Sequence, residues 1–78
     1  MTLWDLAKYK EARISHLCDQ MSGPISNRLI EMGFETNQFV KCLRRTPLSG
    51  PVVIELGDSV YSLEQSIAEQ VFIEGIEN

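Results

Sequence analysis

The sequence has few of the residues that usually build metal centres, disulfide frameworks or catalytic sites. It contains one histidine, one tryptophan and two cysteines. Cys18 and Cys42 do not have the spacing of a zinc knuckle and are too few for a framework of several disulfides, so both are predicted to be free, buried thiols. No GxxxxGK phosphate-binding loop occurs, because the five glycines are scattered along the chain.

Long apolar segments are also missing. The longest apolar runs, 52–54 and 71–73, have three residues each, whereas a membrane-spanning helix needs about 20. The chain does not open with the basic and apolar pattern of a signal peptide. We therefore expect a cytoplasmic protein that does not insert into the membrane directly.

Positive charge is missing from the second part of the chain. Residues 1–45 contain all seven basic residues and five acidic ones, whereas residues 46–78 contain six acidic residues and no basic one, which gives a formal net charge of −4. Binding to nucleic acid depends on neutralising phosphates, so a nucleic-acid partner is not expected. The charge asymmetry favours a protein partner.

The chain is short enough to limit what it can do. Its 78 residues have room for one domain, which we place at residues 1–78. A core of that size supplies only about 3–5 kcal/mol of net stability, which leaves little to support a strained catalytic cleft. We therefore predict that the protein is not an enzyme and needs no cofactor.

Alternating apolar residues predict short strands. The alternation is clearest in residues 52–56, and the Gly57-Asp58 pair that follows predicts a tight hairpin. An irregular pattern in the first strand predicts a bulge near Ser15-His16. The predicted strands are 11–18, 38–45, 52–56, 59–62 and a closing strand that contains Val71 and Ile73.

Residues 23–34 carry the strongest helix pattern. Pro24 suits the first turn, and Gly33 can end the helix in a left-handed conformation, after which Phe34 would pack back on Leu29. The residues Asn27, Arg28 and Glu31 lie off the apolar stripe and form an exposed face. The predicted apolar stripe consists of Ile25, Leu29 and Met32.

These elements predict a mainly β fold with short helices. Five strands, with a helix after the first and a helical turn before the last, describe a small SH3-like five-stranded barrel. The pattern Ser62-Leu63-Glu64-Gln65 predicts a capping box that opens the helical turn. Thr2 is predicted to cap a short turn at the start of the chain.

The segment Thr46–Pro51 is predicted to be a defined loop. Pro47 and Pro51 fix two φ angles and remove two backbone donors, so the segment cannot continue a strand. Leu48, between the two prolines, must either fold onto the barrel or be offered to a partner protein. Trp4 poses a similar choice between covering one end of the barrel and acting as an exposed anchor.

His16, Cys18 and Asp19 are the only residues that suggest site chemistry. His16 and Cys18 lie two residues apart and would share a strand face, but no third residue orients them as a catalytic pair. The same three residues are the candidates for a metal site, although a stable ferrous site usually draws on several imidazoles and carboxylates. The favoured interpretation is a surface histidine beside a buried thiol, with no metal bound.

The order of these features resembles the ferrous iron transport protein A family, FeoA. Four positions depart from the family pattern: Tyr9 and Asn37 stand where glycine is usual, Thr36 replaces a common proline, and Glu64 replaces a common basic residue. The resemblance is strongest in the loop segment 46–52. It also rests on Leu3, Leu6, Ala12, Ile14, Leu29–Gly33, Val40, Cys42, Ser62, Leu63, Ala68, Val71 and Ile73.

The resemblance implies a non-enzymatic accessory of bacterial ferrous iron uptake. Its expected partner is the membrane ferrous iron transporter, whose large subunit carries a cytosolic GTP-binding domain and would hold the protein at the inner membrane. Leu48, Arg28 and Glu31 are our candidates for the contact. Whether binding would activate GTP hydrolysis, gate the pore or stabilise the transporter stays open.

Three alternatives remain from the sequence. The protein could be a metal-responsive module that binds divalent iron through His16 and its neighbours. It could be an SH3-like adaptor for proline-rich peptides, although it has few aromatic residues to line such a groove. Weak self-association also stays open, through Phe39, Val53 or Phe72.

Overall fold

A computed structural model describes residues 1–75, in which five antiparallel strands form one sheet. Residues 76–78, the end of the predicted domain, lie outside the described part of the chain. The strand order in the sheet is β4-β3-β2-β1-β5. The strands are β1 (Glu11–Leu17), β2 (Phe39–Arg45), β3 (Val52–Leu56), β4 (Ser59–Leu63) and β5 (Val71–Gly75).

The predicted architecture is confirmed: the chain has a small, mainly β, SH3-like fold. Helix α1 (Gly23–Met32) follows β1, and the short helix α2 (Gln65–Ala68) precedes β5. A 3₁₀ turn, Leu3–Asp5, opens the chain after Thr2, as predicted. The Asp5 carboxylate accepts a hydrogen bond from the Thr2 backbone N–H at 2.9 Å, and this bond is the main reason that the pKa of Asp5 lies below its ordinary value.

Two register shifts bend the sheet. The pairing of β1 with β5 shifts between Ile14 and His16, which confirms the predicted bulge. A second shift, between Cys42 and Arg44, interrupts the pairing of β2 with β3. A bulge adds one residue to one strand and increases its twist, so the sheet can curve around its core.

The core consists of apolar side chains from every strand and both helices. Val52, Ile54 and Leu56 are buried on the predicted inner face of β3, while Glu55 is exposed. Both cysteines are free, as predicted, and Cys42 is buried in the core, but the predicted burial of Cys18 is wrong because it lies half-buried just after the end of β1. The remaining core residues are Leu3, Leu6, Ala12, Ile14, Met21, Leu29, Phe34, Val40, Leu63, Ala68, Val71 and Ile73.

Helix α1 ends as its sequence predicts. Gly33 has a φ of 107°, and its backbone N–H donates to the Ile30 carbonyl. The Phe34 N–H donates to the Leu29 carbonyl at 3.0 Å, which folds the chain back on the last turn. The predicted apolar stripe is partly wrong, because only Leu29 is buried, Met32 is half-buried and Ile25 is exposed. A short helix at the end of the barrel meets the core along a narrow stripe.

The predicted capping box at α2 is wrong. Ser62 is the fourth residue of β4 and pairs with Val53, so it is held in the sheet and cannot cap the helix. Glu64 is the N-cap and makes no side-chain capping bond. The pairing of Leu63 with Val52 extends β4 past the predicted end at residue 62, and this displaces the start of the helix.

Tyr9 and Asn37 have left-handed backbones, with φ of 68° and 73°. Both are positions at which the family pattern that the sequence resembles has glycine. The Tyr9 N–H donates to the Cys42 carbonyl at 2.7 Å, and the Asn37 N–H donates to the Ile14 carbonyl at the same distance. Asparagine tolerates this conformation, but tyrosine does so at a cost in backbone energy.

Tyr9→Gly is expected to raise the free energy of unfolding by about 0.5–1 kcal/mol. Relief of the left-handed conformation contributes about 1–2 kcal/mol, and the greater freedom of glycine in the unfolded chain removes about 0.4–1 kcal/mol. Urea denaturation followed by circular dichroism measures the difference. Tyr9→Ala is the control because it keeps the Cβ atom; an equal gain in that variant would contradict the backbone explanation.

Candidate interaction surface

The loop between β2 and β3, Thr46–Pro51, forms a tight and internally braced turn. The Gly50 N–H donates to the Pro47 carbonyl at 3.2 Å across the turn. The Thr46 hydroxyl donates to the Pro51 carbonyl at 2.6 Å and joins the two ends of the loop. The two prolines, the bracing hydrogen bonds and the flanking strands therefore hold the tip in one conformation.

Leu48 is at the tip of this loop and is 99% exposed. The structure thus decides one choice that the sequence left open: Leu48 does not fold onto the barrel. Leu48 and Ser49 have φ of 59° and 58°, which are the backbone angles of a type I′ turn. Such turns favour Asn-Gly, so a leucine and a serine there cost backbone energy and leave an apolar side chain in water.

Gly50→Ala is expected to lower the free energy of unfolding by about 1–3 kcal/mol. A Cβ atom at position 50 would collide with the Thr46 hydroxyl and lie 3.2 Å from the Pro47 carbonyl oxygen, so the bracing of the loop must change. Thermal unfolding of the two proteins measures the effect. Gly23→Ala is the matched control, because a Cβ there meets no atom within 4 Å; an equal loss in both variants would contradict the steric explanation.

A small cleft of about 270 Å³ adjoins the loop. The Arg45 guanidinium lies 4.9 Å from the centre of the Trp4 ring, and its Nη1 atom donates to the Leu6 carbonyl at 3.0 Å. Trp4 packs against the core, so it covers one end of the barrel and is not a free anchor. Arg45 and Trp4 line the cleft together with Ser49, the neighbour of Leu48 in the loop.

Arg28 and Glu31 are exposed on α1, as predicted. They do not form one patch with Leu48, because the end of α1 adjoins the start of β2: a Cβ at Gly33 would lie 3.5 Å from the side chain of Leu56, which pairs with Val40. The loop that carries Leu48 continues from the other end of β2. The seven residues of β2 span about 20 Å when extended. The three predicted partner-binding residues therefore occupy two separate surfaces.

His16, Cys18 and Asp19 do not converge. The His16 ring stacks on Phe72 of β5, with ring centres 4.7 Å apart, and its Nδ1 atom lies 2.9 Å from the Ser15 hydroxyl. Cys18 is half-buried, and Asp19 is exposed in the turn after β1. Within residues 1–75 there is no group of three histidine, cysteine, aspartate or glutamate side chains placed to hold a metal ion.

Some exposed apolar residues were not identified from the sequence. Ile30, on the outer side of α1, borders a cleft of about 340 Å³ together with His16 and Phe34. Val60 of β4 is 57% exposed. Of the residues considered for self-association, Phe39 is also 57% exposed, whereas Val53 and Phe72 are half-buried. The alternation of apolar and polar residues shows which side chains of a strand point outward. It does not show how far neighbouring elements cover those side chains.

No helix within the described residues is long and apolar enough to cross a membrane.

A family model described as the FeoA domain matches residues 1–75. No curated protein matches the chain significantly.

Solved structures provide close structural neighbours. FeoA of Stenotrophomonas maltophilia, an SH3 domain protein solved in complex with zinc, is 26% identical over 95% of this chain and 89% of that one, with a TM-score of 0.85. Iron(II) transport protein A of Clostridium thermocellum is 28% identical over 97% of this chain and 46% of that one, with a TM-score of 0.88.

A manganese-dependent transcriptional repressor has the same fold. It is 12% identical over 97% of this chain and 41% of that one, with a TM-score of 0.86, and at that identity the likeness concerns the fold alone. FeoA proteins are small SH3-like domains associated with ferrous iron transport and are not known as an enzyme family. The match of the family model to residues 1–75 shows that this chain belongs to the FeoA family.

Proposed function

We propose that this protein is a cytoplasmic accessory of bacterial ferrous iron uptake that binds the cytosolic GTP-binding domain of the membrane ferrous iron transporter. Membership of the FeoA family supports the link to iron uptake. The Stenotrophomonas maltophilia relative is described as a candidate ferrous iron transport activating factor, which supports a regulatory role here.

The exposure of Leu48 is the observation that carries the binding role. A leucine that is 99% exposed on a braced loop gives up little conformational freedom when it enters a pocket on a partner. A few residues that fill pockets on the partner supply most of the affinity of a protein interface, and Leu48 would be one of them. The neighbouring Arg45 and Trp4 would surround the anchor with a polar and aromatic rim.

Arg28 and Glu31 would make a second contact at the opposite end of the barrel. Exposed charges at the rim of an interface affect mainly the association rate and the choice of partner. A small domain that touches its partner at two ends can hold two parts of that partner in a fixed arrangement. This suits a regulator that acts by positioning and leaves phosphate chemistry to the transporter.

Isothermal titration of the protein into the cytosolic domain of its cognate ferrous iron transporter tests the proposal. The titration is repeated with and without guanine nucleotide, and GTP hydrolysis is followed in parallel. Saturable binding is expected, and a changed hydrolysis rate would show that the protein regulates the GTP-binding domain. If the folded protein does not bind, docking on this domain is wrong.

A direct metal-responsive role lacks a comparable observation. The stacking of His16 on Phe72 directs its ring to β5, and the three candidate ligands are not grouped. Nuclear magnetic resonance under anaerobic conditions distinguishes the two functions. Shifts confined to residues 14–19 on addition of ferrous iron would favour the metal-responsive role over the proposed one.

A further inference from the structure

The two edge strands of the sheet are treated differently by the fold. The edge at β5 is covered by the start of the chain, because the Ile73 N–H donates to the Met1 carbonyl at 2.9 Å and Thr2 forms a bridge with Phe72. Strand β4 is the other edge, and within residues 1–75 its one strand partner is β3. The chain therefore protects one edge of its sheet and leaves the other available.

The pairing of β4 identifies the backbone groups at its outer edge. The two-residue turn Gly57-Asp58 places Ser59 opposite Leu56, so Ser59, Tyr61 and Leu63 exchange ladder hydrogen bonds with β3. The N–H and C=O groups of Val60 and Ser62 then point away from the sheet. Both residues are exposed, and Val60 is 57% exposed despite its apolar, β-branched side chain.

Strand β4 also lacks the usual devices that prevent edge pairing. Exposed edges are commonly blocked by lysine, proline or a bulge, but the sequence of β4 is Ser-Val-Tyr-Ser-Leu and its pairing with β3 is regular. Its length of five residues is sufficient to pair with an added strand. We propose that the outer edge of β4 binds an extended segment of a partner protein by strand addition.

The charges that flank β4 indicate the chemistry of that segment. Asp58 lies immediately before the strand and Glu64 immediately after it, and both are exposed. Glu55 of β3 lies opposite Val60, but it also lies opposite the basic residue Lys41 on β2. The carboxylates that have no such basic neighbour within the described sheet, and that a partner could therefore contact, are those of Asp58 and Glu64 at the two ends of β4. The segment should therefore be uncharged in its centre and carry a lysine or arginine at each end.

The same charges oppose a second copy of this chain as the occupant. An antiparallel pair of β4 strands that uses both outward-facing residues is centred on Tyr61. In that register Asp58 of each copy lies opposite Glu64 of the other, which places like charges across the pair twice. The added strand is therefore expected to come from a different protein, which is defined here by the charges of its segment.

A charge-reversed form of the chain serves as the probe. The Asp58→Lys/Glu64→Lys variant presents the same uncharged strand with basic ends. Asp58 has a negative φ, since it is not among the left-handed residues, and Glu64 makes no side-chain capping bond, so both sites accept lysine. The wild-type protein and the variant are each expected to stay monomeric in analytical ultracentrifugation at low salt, whereas their mixture should form a 1:1 dimer.

Val60→Pro in either component is expected to abolish the dimer, because proline removes the outward N–H that an added strand needs. Val60→Thr, which keeps that N–H and the branched side chain, should preserve it. Hydrogen exchange at the Val60 and Ser62 amides should slow at least tenfold in the mixture. A folded mixture that stays monomeric would overturn the proposal. Dimers of the wild-type protein alone that Val60→Pro disrupts would also overturn it, because the strand added to β4 would then come from a second copy of this chain.

Discussion

Leu48→Glu is expected to weaken binding to the cytosolic GTP-binding domain of the transporter by about 30-fold or more, the effect of losing a hot-spot residue worth about 2 kcal/mol. The free energy of unfolding should change by less than about 0.5 kcal/mol, because the Leu48 side chain is 99% exposed and makes no core contact. Isothermal titration measures the affinity, and urea denaturation measures the stability.

A double variant separates the side chain of Leu48 from the conformation of its loop. Leu48→Asn with Ser49→Gly supplies the Asn-Gly pair that a type I′ turn favours, so the free energy of unfolding should rise by about 1 kcal/mol. Affinity for the transporter domain should fall as it does in Leu48→Glu, since the apolar anchor is lost. Binding as tight as that of the wild type would show that Leu48 is not the anchor.

Phe34→Ala is expected to remove about 3–5 kcal/mol from the free energy of unfolding. The Phe34 side chain is 1% exposed, and its ring centre lies 5.9 Å from that of Tyr61, whose hydroxyl donates to the Met32 carbonyl at 3.1 Å. The residue thus connects the end of α1 to the β3-β4 hairpin through the core. A domain of this size has a net stability of about 3–5 kcal/mol, so much of the variant should be unfolded at room temperature.

Phe39→Ala is the matched control for that experiment. It removes the same side chain from a position that is 57% exposed, next to the Arg13 guanidinium at 5.7 Å from the ring centre. Its expected cost is below about 1 kcal/mol. Thermal unfolding by circular dichroism compares the two variants. Similar losses in both would contradict the assignment of Phe34 to the core and of Phe39 to the outer surface.

Features of the fold that depend on neighbouring residues could be predicted from the sequence. The alternation in β3, the turn at Gly57 and the left-handed end of α1 at Gly33 each follow from a few adjacent residues. The bulge near His16 was also visible as a break in the apolar pattern. The conformational preferences of adjacent residues are sufficient to predict these features.

Features that depend on tertiary pairing could not be predicted in the same way. The sequence from Ser62 to Gln65 matches a capping box, but the pairing of β4 with β3 holds Ser62 in the sheet. Ile25 fits the apolar stripe of α1 but lies where the helix has no core beneath it. In each case the outcome depended on whether a distant part of the chain packs against the residue.

The candidate residues for partner binding could be named from the sequence, but their relative positions could not. The prolines identified the loop, yet two outcomes for Leu48 were equally consistent with the sequence, and the exposure of its side chain in the folded protein decides between them. The separation of Arg28 and Glu31 from that loop depends on the direction of β2. Distances between surface residues are properties of topology, which local patterns do not specify.

The different burial of the two free thiols provides a way to measure unfolding of the protein by alkylation. Cys18 is half-buried, whereas Cys42 is fully buried, so alkylation of Cys18 is expected to be faster and alkylation of Cys42 is expected to require opening of the barrel. Mass spectrometry of one alkylation time course therefore reports two rates, one for local access and one for unfolding. Because neither thiol is bonded to the other, the stability of the protein can be followed in a crude extract without a dye or a fused tag.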